Sequence, residues 1–393
     1  MPPAGDKLPG MRFETLAVHA GGEADRETGA VAPPIHLSTT FLHGPESEPL
    51  HGRLYQREGN PTQDRLEEAL AAIEGGGPSS TALAFASGMA AASTLLQSLP
   101  AGARVVFHSD IYSGVRQLAL DFLPRWGMAP VFANLADERA VGAALASGAA
   151  LVWAETPTNP QLEILDLTRL ADAAHAAGAS LLVDGTFATP ALQRPLALGA
   201  DIVLHSTTKY LGGHSDVLGG ALVFGGAGRM AGLSETVAKV RRRLGGTASP
   251  FNSWLVLRGL RSLSCRMERH SANALALANA LFGHPALSHV LYPGLPTHPG
   301  HQVAARQMSA FGGMLALRVA GGRAAAVAVA ARLKLFTVAT SLGGPESLVE
   351  HRASSDGPET TTPDDLLRLS IGLEHPDDLL ADLLQALDAT LPG

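Results

Sequence analysis

The stretch ADIVLHSTTKYLGGHSD, residues 200–216, places a lysine directly after an apolar strand-like run, with hydroxyl residues before it and a glycine pair after it. Lys209 in that setting can condense with an aldehyde, while Ser206 and Thr208 can donate hydrogen bonds to a phosphate on the same molecule. Gly212 and Gly213 let the backbone turn tightly behind the lysine. A second group fits the same chemistry. Asp184 ends the apolar run SLLVD, and a carboxylate at the end of a buried strand is costly unless a cation pairs with it. A protonated pyridine nitrogen is such a cation, and the pairing makes the ring an electron sink. In FASGMAAASTLLQSL a strand runs into a helix at Ser87, Gly88 and Met89. Free N–H groups and the positive helix end attract an anion there, and Gly88 allows a phosphate to come close.

Other chemistries find less support. His284, His289, His298 and His301 fall in one region, but no carboxylate or cysteine accompanies them at ligand spacing, so they read as surface-loop histidines and no metal is expected. The single cysteine, Cys265 in SLSCRMERH, cannot form an intrachain disulfide and reads as a buried structural thiol. No dinucleotide fingerprint or phosphate-loop lysine motif is found. A net charge of -7 and a pI near 6.1 repel nucleic acid and anionic membranes, which excludes both as main partners. Lys239, Arg241, Arg242 and Arg243 read as a solvated helix face whose arginines could also reach a neighbouring subunit. No apolar run reaches ~18 residues, and no N-terminal stretch joins a basic region to an apolar core. A cytoplasmic protein is expected.

The elements that must position these residues follow from length and periodicity. A chain of 393 residues exceeds one core, since single cores stop growing near ~250 to 300 residues, so two domains and an arm are expected. With 46% hydrophobic and only 17% charged residues, the composition suits an α/β protein that also buries surface between subunits. Residues 1–59 are rich in Gly, Pro and charge and read as an N-terminal arm that must pack on something to be ordered. Residues 60–250 form the large domain. It opens with NPTQDRLEEALAAIEGG, where Asn60 caps, Pro61 takes the first helical position, Leu66, Leu70 and Ile73 form one stripe, and Gly75 stops the turn. Apolar runs TALAFAS, ARVVFHS, APVFAN, ALVWAET, SLLVDG, DIVLHS and ALVFGG then alternate with helical patterns, which predicts a mostly parallel sheet covered on both faces. Ligands bind beyond the carboxyl ends of such strands, and Glu155, Asp184 and Ser206 fall there. Residues 251–393 read as a smaller α+β domain, with one long helix through SWLVLRGLRSLSCRMERHSANALALANAL and strands GGMLALRV and LLRLSIG.

Together these residues resemble the pyridoxal 5′-phosphate (PLP) enzymes of Cys/Met metabolism, the group of cystathionine γ-lyase and γ-synthase, cystathionine β-lyase, methionine γ-lyase and the homoserine sulfhydrylases. The resemblance runs from TLAVHAG near residue 15 to LLRLSIGLEHPDDLLADLLQAL, and STTKYLGGH is its most specific motif. It implies fold type I of the PLP-dependent transferases and a homotetramer built as a dimer of dimers. It also implies residue roles. Lys209, Asp184 and Tyr112 in IYSG become the catalytic set, with Tyr112 stacked on the pyridine ring. Ser87, Gly88, Met89, Ser206 and Thr208 hold the phosphate, and Thr186 lies near the ring. Tyr55 and Arg57 in LYQREGNPT reach the phosphate of a neighbouring subunit's cofactor. Glu155 and Asn159 in WAETPTNP steady the cofactor hydroxyl and substrate, and Arg368 with Ser341 clamps the α-carboxylate, for which an arginine fork is suited.

The expected reaction is γ-elimination or γ-replacement on a sulfur amino acid, of the cystathionine γ-lyase or γ-synthase type. Methionine γ-lyase and cystathionine β-lyase are the near alternatives; an aminotransferase or a silent PLP-binding regulator are remote ones. Four departures bear on substrate choice. Thr340 stands where cystathionine γ-enzymes usually carry Glu, Gly114 where methionine γ-lyases carry a cysteine, and Gly185 replaces the usual Asn. HRASSDGP replaces a more usual HPASMTH near the active-site entrance.

Overall fold

The computed structural model describes residues 10–226, 231–356 and 362–391. The first nine residues of the expected arm, and Gly357 and Pro358 of HRASSDGP, lie outside the described residues.

After a short helix Phe13–His19 (α1), regular structure resumes at Pro61–Glu74 (α2) for the reasons its sequence suggests. The Asn60 side chain accepts from the Thr62 N–H at 2.9 Å, Pro61 begins the helix, and Gly75 leaves it at φ 71°. Leu66, Leu70 and Ile73 are fully inside.

Seven strands follow: β1 Thr81–Phe85, β2 Arg104–His108, β3 Ala129–Ala133, β4 Leu151–Glu155, β5 Ser180–Asp184, β6 Ile202–His205 and β7 Gly220–Phe224. They form one sheet in the order β1-β7-β6-β5-β4-β2-β3. Within it β7 runs antiparallel to both neighbours, and β6, β5, β4, β2 and β3 are parallel. Helices Gly88–Gln97 (α3) and Ser113–Phe122 (α4) leave the ends of β1 and β2. Every residue of β4 to β7 is buried, which is why these strands are apolar through their middles instead of alternating, with polar residues only at their ends.

A second sheet of five strands comprises β8 Leu287–Leu291, β9 Met314–Val319, β10 Thr337–Val338, β11 Leu348–His351 and β12 Leu366–Ser370, in the order β10-β11-β12-β9-β8. The sequence reading names only β9 and β12. β8 is a half-exposed edge, β10 is two residues long, and β11 ends in Glu350 and His351, so none carries an apolar run.

Three expectations are corrected. The single long helix is two, Pro250–Leu260 and Leu263–Leu281. Gly259 packs so closely on the carbonyls of Leu211 and Gly212 that a Cβ would lie 2.4 Å from each oxygen, and Arg266 donates to the carbonyls of Tyr210 and Gly259 at 2.7 Å. The break thus braces the loop that follows Lys209. Cys265 is exposed, because the buried stripe of its helix runs through Leu263, Arg266, Met267 and His270 and leaves it outside. Arg241 is not solvated: it is 4% exposed, pairs with Glu67 at 2.5 Å and donates to the Ala84 carbonyl at 2.7 Å.

One apolar cluster joins the two sheets, containing Tyr210, Leu257 and Met267 together with Met314, Ala316, Leu342 and Leu366. No helix among the described residues is long and apolar enough to cross a membrane.

Candidate active site

Strands β4 and β5 pair in register, so that Glu155 lies directly beside Asp184. Both carboxylates are buried, and burial pushes both above the ordinary carboxylate range, with the neighbouring Asp184 adding to the effect on Glu155. Glu155 accepts from the Tyr112 N–H at 2.8 Å and so fixes the start of α4. Asp184 accepts from the Thr186 N–H at 3.0 Å, and the Thr186 hydroxyl accepts from the Ser206 N–H at 2.9 Å. Thr186 therefore ties the end of β5 to the turn that follows β6.

Opposite this edge, α3 points its N-terminus into the same space. Ser87 caps it by accepting from the Ala90 N–H at 3.0 Å. Gly88 approaches Ser206 so closely that a Cβ would meet the Ser206 Cβ at 3.0 Å, so only a glycine leaves the helix end open here. The Thr208 hydroxyl donates to the Gly219 carbonyl at 3.1 Å and accepts from its N–H at 3.0 Å, which holds the turn around the lysine.

Lys209 reaches across to the second sheet, donating from Nζ to the Ser341 hydroxyl at 2.7 Å. Burial, aided by the Arg368 guanidinium, lowers its amine to about 8. Ser341 also offers its carbonyl to Arg368 Nη2 at 2.9 Å, at a backbone φ of 81°. Arg368 is 3% exposed in the middle of the second sheet, and donates further to Asn159 Oδ1 at 3.1 Å and to Glu350 Oε2 at 2.5 Å. Burial brings its guanidinium down to about 10, which the adjacent Glu350 opposes.

Every site residue expected from sequence lines one cavity of about 220 Å³, apart from Tyr55 and Arg57. Those two lie elsewhere: Tyr55 is 42% exposed, and Arg57 stacks its guanidinium 5.7 Å from the Tyr55 ring and donates to the Arg242 carbonyl at 2.8 Å. Gly114, beside the cavity, has a packing reason. A Cβ there would fall 2.6 Å from the Tyr112 ring and 3.3 Å from Met89 Sδ, so the glycine lets that ring lie where it does. Thr340 also lines the cavity, and Gly185 sits against His205, whose ring carbon a Cβ would meet at 2.9 Å.

Sequence reasoning missed Glu350 and Arg352. Glu350 stands opposite Arg368 across the β11–β12 ladder, and Arg352, the second residue of HRASSDGP, lines the cavity. The arginine in that segment was a visible signal; its glutamate partner was hidden in a strand that had not been recognised. Among the four histidines, His301 bonds the Pro293 carbonyl at 2.8 Å and His284 meets Asp388, 104 residues further on, at 3.2 Å.

The residues present fit a phosphorylated pyridine aldehyde. A helix N-terminus held open by glycine suits the phosphate, a buried acid raised by burial suits a ring cation, and an amine near 8 suits the aldehyde.

Comparison with known proteins agrees with this chemistry. The family described as Cys/Met metabolism PLP-dependent enzyme matches residues 14–388. The cystathionine gamma-synthase of Mycobacterium tuberculosis is 49% identical over 379 residues, covering 95% of this chain and 96% of the relative. A cystathionine gamma-lyase of Bacillus subtilis is 40% identical over 386 residues, 96% of this chain and 100% of the relative. Among solved structures, metB from Corynebacterium glutamicum superposes with a TM-score of 0.92 at 43% identity, covering 97% of this chain and 99% of that one. The cystathionine gamma synthase of Xanthomonas oryzae pv. oryzae in complex with cystathionine gives 0.91 at 44%, covering 97% of this chain and 100% of that one.

Proposed function

Since the chain belongs to the Cys/Met metabolism PLP-dependent enzymes, we propose that it catalyses γ-replacement: the γ-substituent of an activated homoserine is exchanged for the thiol of cysteine, giving cystathionine. γ-Elimination is the branch taken when water intervenes.

When bound, PLP supplies the sink for the electrons that leave Cα. Asp184 would pair with the ring nitrogen, and the end of α3 with Ser206 would hold the phosphate. Arg368 takes the α-carboxylate. Lys209, freed as an amine, removes the Cα proton and hands it on along the substrate, a role that suits a base near neutral pH. Tyr112, which lines the cavity at the start of α4, would pack on the ring.

The 49% identity to a cystathionine gamma-synthase favours replacement over the other reactions of the family, and the observation that carries the amino-acid chemistry itself is the double duty of Ser341. Its hydroxyl meets the base and its carbonyl meets the carboxylate clamp, so one residue spans the distance between the Cα proton and the α-carboxylate of an amino acid.

The exposed Tyr55 and the half-exposed Arg57 beside it, both away from the cavity of their own chain, support a site completed by a second copy, in a homotetramer of two such dimers. A cytoplasmic setting suits a chain with one cysteine and soluble substrates. The test is to offer cystathionine, methionine, homocysteine and O-succinylhomoserine, each with and without cysteine, and to identify the products. New cystathionine from the ester and cysteine supports γ-replacement. Pyruvate and homocysteine released from cystathionine, without synthesis, overturns it.

A further inference from the structure

Arg368, read as the carboxylate clamp, already holds an acid. Glu350 lies opposite it on β11, and Arg368 Nη2 donates to Glu350 Oε2 at 2.5 Å. A conflict follows. An α-carboxylate that enters to meet Arg368 arrives near a second carboxylate bonded to the same guanidinium, and Glu350 is 6% exposed, so little solvent screens the two. Like charges so placed repel, and the clamp weakens unless something else holds Glu350.

Arg352 does so. Its Nη1 donates to both Glu350 oxygens, at 3.3 and 3.4 Å, and the Ser355 hydroxyl donates to Glu350 Oε1 at 2.9 Å. Its Nη2 donates to Asp356 and to the Ser113 hydroxyl at 3.2 Å, so both ends of this fork are committed inside the protein. The four side chains make a row of alternating charge: Arg368, Glu350, Arg352, Asp356. Only the two arginines of that row line the cavity, which leaves Glu350 behind the wall, acting on a ligand through its hold on Arg368. Arg352 also belongs to HRASSDGP, and stands where the more usual HPASMTH has a proline that offers no cation.

We propose that Arg352 is a positioning residue for the α-carboxylate: by holding Glu350 from the far side, it keeps that acid from neutralising Arg368 when the substrate's own negative charge enters. This rests on the reading of Arg368 as the clamp. Without Arg352, Glu350 is left with a single guanidinium and closes on it, and Arg368 then offers less to an arriving anion. The consequence is confined to ligands that carry a carboxylate.

The experiment uses the PLP-loaded enzyme and two ligands without a γ leaving group, norvaline and butylamine, which differ only in the carboxylate. Dissociation constants are read from the cofactor's absorbance. The wild type prefers norvaline, and Arg352→Ala lowers that preference by about 10- to 100-fold while butylamine binding stays the same. Arg352→Lys, with charge but no fork, falls between. Adding Glu350→Gln to Arg352→Ala restores most of the preference, because no acid is left to close on Arg368. A preference that survives Arg352→Ala, an equal loss on butylamine, or a loss that Glu350→Gln does not repair overturns the proposal. Arg368→Ala separates the two readings. If it leaves the preference for norvaline intact, the clamp reading fails and takes this proposal with it; a preference lost in Arg368→Ala but kept in Arg352→Ala overturns this proposal alone.

Discussion

Lys209 donates a 2.7 Å hydrogen bond to Ser341, a residue 132 positions away whose backbone sits at φ 81°. A left-handed conformation in a residue with a side chain is costly, and here it lets the hydroxyl face one sheet while the carbonyl faces Arg368 on the other. Replacing Ser341 with Ala removes an acceptor that favours the charged amine. The Lys209 amine should fall below about 8, and turnover should drop roughly 5- to 10-fold, the worth of one ordinary hydrogen bond. The pH dependence of Lys209 acetylation in cofactor-free protein, beside steady-state rates, checks both.

The lowered amine also has a signature in stability. In the unfolded chain Lys209 keeps its proton up to about pH 10.5, whereas in the folded cofactor-free protein it loses it near 8. Between those values the unfolded state binds more protons, so this group's contribution to stability rises with pH. Lys209→Met should therefore raise the melting temperature of cofactor-free protein at pH 7, and the gain should shrink between pH 8 and 10.5. Melting curves across that range test it; a gain that does not change with pH would contradict the assignment.

Gly114 is expected to be intolerant despite lying in a helix. Ala would ordinarily stabilise such a position by about 0.5 to 1 kcal/mol. Here its Cβ would stand 2.6 Å from the Tyr112 ring. Gly114→Ala should keep the fold and the bound cofactor but shift the cofactor's absorbance or fluorescence and cut turnover by about 10-fold or more, as small displacements in an active site do. Unchanged spectra and rate would show that the ring has another place to go.

The proposed sharing of the site between two copies predicts rescue by mixing. Arg57→Ala and Lys209→Ala should each be nearly inactive alone. When the two are dissociated and reassembled together, hybrid pairs contain one intact site, and about a quarter of wild-type activity should return if chains pair at random. Activity that stays flat on mixing would assign Arg57 to its own chain.

The parts of the site legible in sequence are those whose meaning is local. Lys209 stands between a strand end and a glycine pair, Asp184 closes an apolar run, and Gly88 opens a helix after β1, so each could be read within a dozen residues. Glu350 could not. Its importance comes from facing Arg368 across a ladder whose one strand carries no apolar signature. Arg241 was misread for a similar reason: its partners Glu67 and Ala84 lie far back in the chain, and only the folded sheet brings them close. The helix break near Ser262 likewise follows from where Leu211 and Gly212 pass, information that helical periodicity does not hold.

Tyr210, the residue after Lys209, is fully buried in the apolar seam between the two sheets. It works like a dowel. Parting the halves would draw a large ring out of apolar surroundings, so its burial anchors the residue next to the reactive amine between the two sheets. Reactants must come and go through the mouth of the cavity, and changes there should alter admission without disturbing the packed seam behind it.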